Sequence, residues 1–169
     1  MPGLWTGCAA GRKLPEDKST LVSESAVKDK ASAQEDNIVS VDGEEFKLSY
    51  ETHHGNMYYK TDIAKLSPNT SGAWCELTHY KDSKPLVSIH LVYYEGKTAE
   101  DVMAKSENKL TAKVIGDIEY QYFEYDENGM PGHTYLYTYN GTSYTISFAS
   151  SADISSLEEM FMKYVHFGE

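Results

Sequence analysis

The chain has 169 residues, 40% of them hydrophobic, and a formal net charge of −11. That length fits one domain of ordinary size. The acidic balance argues against a nucleic-acid partner or a basic patch for anionic lipid, because both need clustered Lys and Arg. No stretch reaches the ~18–20 apolar residues of a membrane-crossing helix. The two cysteines, Cys8 and Cys75, are too far apart for a metal motif and too few for a disulfide framework.

The N-terminal third is polar. Residues 9–45 are rich in Ser, Ala, Lys, Asp and Glu and carry no aromatic ring. Such a segment cannot bury enough apolar surface to offset the entropy of ordering, so it is expected to be a disordered polar tether spanning about 30–35 Å. Ile38, Val39 and Val41 are expected to form a short edge strand near its end.

Ahead of this segment stands LWTGCAAG, in which Thr6 and Gly7 precede Cys8. A small residue, then cysteine, then a polar run resembles the lipobox of bacterial lipoproteins. The resemblance implies lipid attachment at Cys8 and an extracytoplasmic position on the cell membrane. Trp5 departs from the pattern, which favours Leu there. The seven residues before Cys8 lack the basic start and apolar stretch of a signal peptide. Residues 1–8 are therefore read as a signal remnant.

From Phe46 the texture changes to aromatic and β-branched residues with regular turn signals. FKLSYE reads as a strand, 53–56 as a polar loop carrying His53 and His54, and Met57 begins a second short strand. AWCELTHY and PLVSIHLVYYE flank KDSK as a hairpin. Pairing them about Ser83 places Cys75, Leu77, His79, Val87, Ile89 and Leu91 on a core face, with Trp74, Glu76, Thr78, Ser88, His90 and Val92 opposite. In KTAEDVMAKSENKL, Thr98 is the expected N-cap with Asp101 completing an acidic capping box. Val102, Met103 and Leu110 would give that helix an apolar edge.

GDIEYQYFEYDENG reads as a strand and turn. GHTYLYTYNGTSYTISFAS reads as a hairpin whose Asn140 and Gly141 suit a two-residue type I′ turn. Ser155 or Ser156 is expected to cap a closing helix with Leu157, Met160, Phe161 and Tyr164 at helical spacing. A last strand over 165–167 would follow.

This order predicts an α+β domain over 46–167, an antiparallel β-sheet with two main helices packed on it. FKLSYE, KTAEDVMAKSE after a hairpin, and YTISFASSADISSLEEMFMKYVHF resemble the Mog1/PsbP-like family, although ETHHGN stands where that family has P-x-x-W. The resemblance implies a domain that docks onto larger assemblies. A cystatin- or NTF2-like curved sheet is the alternative.

No phosphate loop, nucleophile elbow, HExxH or CxxC is present. No catalytic residue, metal or cofactor is therefore assigned. Cys75 among Leu77, Ile89 and Leu91 reads as a buried thiol. His53 and His54 read as a solvated loop pair. His90 opposite Glu76 reads as a surface pair. These histidines support only an alternative reading, an envelope hydrolase or metal-dependent enzyme. Tyr135, Tyr137, Tyr139 and Tyr144 fall on one strand face and are the candidate residues for a protein or glycan partner, as an exposed aromatic strip. The reading is a membrane-anchored, non-catalytic binding or accessory module with no nucleic-acid partner.

Overall fold

A computed structural model describes residues 37–127 and 129–169. Twelve strands and two helices occur among them: β1 (Ile38–Val41), β2 (Glu44–Lys47), β3 (Tyr50–His54), β4 (Met57–Thr61), β5 (Pro68–Ser71), β6 (Trp74–Lys81), β7 (Lys84–Glu95), α1 (Ala99–Met103), β8 (Thr111–Ile115), β9 (Ile118–Glu127), β10 (Met130–Tyr139), β11 (Thr142–Ala149), α2 (Ser155–Lys163) and β12 (His166–Phe167). A seven-stranded antiparallel sheet runs β5-β6-β7-β11-β10-β9-β8. A three-stranded sheet runs β12-β4-β3, and β1 and β2 form a separate hairpin.

The expected α+β layout with two helices on a sheet is wrong. The described chain is mostly β, 58% strand and 11% helix. Thr98 does cap α1, and its hydroxyl accepts from the Asp101 amide while Asp101 reaches back to the Thr98 amide. The helix nevertheless ends after Met103 and buries no residue. Its continuation, Lys105 to Lys109, is polar and exposed, so no apolar stripe rewards further turns. The β-content rose because β5 and β8 form from segments with no strand-like apolar alternation.

From Trp74 to His79 the hairpin of β6 and β7 has the register expected from its faces, and a shift between His79 and Tyr80 then sets Lys81 opposite Lys84. Glu76 opposes His90, Leu77 opposes Ile89 and Cys75 opposes Leu91. Across the next turn, Tyr137 opposes Tyr144 and Tyr135 opposes Ile146. The inner face so formed buries Cys75, Leu77, Ile89, Leu91, Tyr135, Ile146 and Phe148. The other face carries hydroxyl rungs, Thr134 to Ser147 at 2.9 Å and Thr138 to Ser143 at 2.8 Å. The Ser143 hydroxyl also donates to the Lys97 carbonyl at 2.7 Å, which ties down the crossover from β7 to β8.

On the inner face, α2 supplies Leu157, Phe161 and Met162. Phe161 lies 5.6 Å from the Tyr59 ring of β4 and 5.5 Å from the Phe148 ring of β11, so the helix joins the small sheet to the large one. Val39 and Val41 of β1 are also buried in this core. Residues 38–45 are thus part of the fold, and the tether expected over 9–45 cannot extend through them. Cys8 and residues 9–36 lie outside the described residues.

The turn between β10 and β11 has φ of 46° at Asn140 and 74° at Gly141, the left-handed pair that a type I′ turn needs. Open space surrounds the Gly141 Cα, so a side chain there would meet only backbone strain. Gly141→Val should cost roughly 1–3 kcal/mol in urea melts. An unchanged midpoint would show that the turn relaxes to another type.

Candidate functional site

A concave surface lined by aromatic, acidic and basic side chains lies where α2 passes the end of the large sheet. Asp153 fixes the start of α2 by accepting from the Ser155 amide at 2.9 Å and the Ser155 hydroxyl at 2.6 Å. Ser155 and Ser156 are therefore the first helical residues rather than caps. From this start, Leu157 and Phe161 enter the core, while Glu158, Glu159 and Met162 line a cleft facing β8, β9 and β10.

One half of the cleft encloses about 580 Å³. Its apolar lining includes Ile115, Ile118, Tyr137, Tyr139, Met162 and Phe167, and its polar lining Asp117, Glu159, Lys163 and His166. Phe167 arrives on β12, which pairs with β4 through His166 and Tyr58. Its ring sits 4.8 Å from Tyr137 and 5.7 Å from Tyr139.

The other half encloses about 450 Å³ and shares Ile115, Glu159 and Met162 with the first. It is polar. The Lys113 ammonium donates to the Tyr135 hydroxyl at 2.8 Å and stands over the Tyr122 ring at 4.6 Å. The Tyr135 hydroxyl in turn donates to Glu158. His133 Nδ1 lies 3.3 Å and 3.2 Å from the two Glu158 oxygens. A carboxylate only accepts, so Nδ1 carries the proton. Glu158 is 6% exposed, a buried carboxylate met by three groups directly or through Tyr135. Burial, then the bond to Glu158, pushes the Tyr135 phenol well above its usual range. Burial, reinforced by Glu124, pushes Tyr122 up to about 12. Neither phenol ionises near neutral pH, so the network orients groups rather than supplying a phenolate base.

The four candidate tyrosines divide. Tyr137 and Tyr139 are half-buried on the cleft wall. Tyr135 is buried in the polar network, and Tyr144 is buried with its hydroxyl accepting from the Asn56 amide at 3.1 Å. They do not form an exposed strip, because α2 and β12 cover their face of the sheet. The helix and last strand turn that face into a cleft.

The histidine pairs do not enter the cleft. His53 and His54 are not a loop pair; they end β3 on opposite faces. His54 is buried with Nε2 2.8 Å from the Ala73 carbonyl, and His53 is exposed beside Tyr58. His90 and Glu76 face each other on the other side of the large sheet. They are linked through hydroxyls: His90 Nε2 to Ser88 at 3.1 Å, Ser88 to Thr78 at 3.3 Å, and Thr78 donating to Glu76 at 2.8 Å. Among the described residues, no three His, Cys, Asp or Glu side chains converge to hold a metal ion.

Cys75 is buried beside the Tyr59 hydroxyl at 3.6 Å, and burial pushes its thiol up. In a Cys8→Ala background, alkylation followed by mass spectrometry should label Cys75 only when urea unfolds the domain. Rapid labelling of the native protein would contradict this placement.

The residues that sequence reasoning missed are Lys113, His133, Glu158, Met162 and Phe167. The two-residue alternation of β10 is the signal that could have found His133, since it shares a face with Tyr135. What brings Lys113 and Glu158 to them is the packing of β8 and α2, which no local pattern encodes.

No protein-family model matches the chain, and no curated protein matches it. Among solved structures, a crystal structure from Bacteroides thetaiotaomicron VPI-5482 at 1.50 Å is similar with a TM-score of 0.51 at 10% identity. The match covers 72% of this chain and 48% of that one, so the chain spans about half the length of that neighbour. The likeness is one of fold alone.

Proposed function

We propose that this chain is a non-catalytic binding or accessory module, held by lipid on Cys8 at the outer side of a bacterial cell membrane, that offers the cleft between α2 and β8 to a protein or glycan partner. The observation that carries the reading is the cleft itself: a wall of Tyr137, Tyr139 and Phe167 beside a hydrogen-bonded polar half. Aromatic walls supply contact area at low entropy cost, and a few fixed polar groups give orientation. The anchor rests on the lipobox-like Thr6, Gly7 and Cys8.

The test of the anchor is fatty-acid labelling in the native host, from the gene with its full upstream reading frame. The wild type should take the label and sediment with membranes, and Cys8→Ala should do neither. A soluble, unlabelled wild type would remove the anchor from the proposal.

A further inference from the structure

We infer that the outer edge of β8, unpaired among the described residues, takes up an extended segment of a partner protein as an added strand, with alternate side chains of that segment entering the two halves of the cleft. This rests on the binding-module reading above and specifies its partner as a polypeptide.

The large sheet ends at β5 on one side and β8 on the other, and among the described residues no strand pairs with the outer side of either. Natural sheets guard such edges with proline, very short strands and charged side chains, lysine above all. β5 is guarded in this way: it has four residues and begins with Pro68. β8 is not. It has no proline, and its one charged residue, Lys113, is turned onto Tyr135 and Tyr122. Val114 is left 64% exposed.

The register says which backbone groups are free. Ile115 pairs with Ile118 across the two-residue turn of Gly116 and Asp117, where Gly116 has φ of 59°. The pair closing such a turn exchanges both of its hydrogen bonds, and the pattern then alternates along the hairpin. Ile115, Lys113 and Thr111 therefore bond to β9, while Val114 and Ala112 direct their N–H and C=O groups outward. Donors and acceptors repeated at that spacing are matched by another strand and not by a sugar chain, which decides between the two partner classes.

The cleft sets the side-chain chemistry. Lys113 and Ile115 face α2, so two residues of the added strand, at positions i and i+2, stand beside them about 7 Å apart. The one beside Ile115 reaches the half lined by Tyr137, Tyr139 and Phe167 and is apolar. The one beside Lys113 meets an ammonium that uses one donor on Tyr135 and retains others. That position takes an acceptor such as Asp, Glu, Asn or Gln.

The experiment screens the full chain against a displayed library of random short peptides and, separately, against soluble peptidoglycan fragments. Selected peptides should pair an apolar residue with an acceptor two positions away. On binding, hydrogen exchange should slow at the Ala112 and Val114 amides, whereas the Lys113 and Ile115 amides are already protected. Ala112→Pro and Val114→Pro each remove one outward donor and leave the bonds to β9 intact, so each should weaken binding about tenfold with the melting temperature held. If one proline variant fails to fold, the other and the exchange pattern still decide. Peptides that protect other amides, or bind both proline variants as well as wild type, overturn the inference. Retention of glycan fragments without any peptide overturns it too but leaves the binding module standing, and retention of neither overturns both.

Discussion

Phe161→Ala should cost about 3–5 kcal/mol of folding stability, the range for removing a fully buried aromatic side chain. Phe161 is 0% exposed and touches Tyr59 of the three-stranded sheet and Phe148 of the seven-stranded sheet. Its loss opens a cavity at the point where α2 joins the two. Neither sheet can close that gap by shifting alone, because each strand is held in register by its neighbours. Urea melts of the variant and wild type give the difference directly. A loss below about 1 kcal/mol would mean that α2 is not a stabilising part of the core.

A chain starting at Asp42 should be less stable than one starting at Asn37 by about 3–6 kcal/mol, from two valines at roughly 1.5–3 kcal/mol each. The two differ by β1, whose Val39 is 9% and Val41 1% exposed. Removing them also strips β2 of its pairing partner at Phe46, which opposes Val39 and is itself buried. The pair of truncations isolates β1 from everything before it. Stabilities equal within about 0.5 kcal/mol would show that the folded part begins after β1.

Much of the large sheet was legible. The hairpin of β6 and β7 alternates apolar and polar residues, and one slip in register would move Leu77 and Ile89 into water, so the pattern fixes the pairing. Asn140 and Gly141 fix the next one by turn chemistry. Legibility failed where an element is held by tertiary contact instead of its own pattern. PNTS of β5 is exposed throughout, and TAKVI of β8 shows only a half-buried Ile115, so neither carries strand alternation. The segment 98–110 shows a sound cap and two apolar residues, yet a cap cannot sustain a helix without a stripe to bury. The candidate site followed the same rule. Tyr137 and Tyr139 were found by alternation. Their covering by α2 and β12, and the meeting of Lys113, Tyr135, His133 and Glu158, depend on contacts more than twenty residues apart in sequence.

The central claim is that the cleft beside Tyr139 is where this protein meets its partner. A photo-crosslinking amino acid placed at position 139, in the full chain expressed in its native host, tests it most directly. Position 80 serves as the control, since Tyr80 is 60% exposed on β6 and does not line the cleft. The account predicts a discrete crosslinked species from position 139 and none from position 80. Equal crosslinking from both, or crosslinking from position 80 alone, would contradict it.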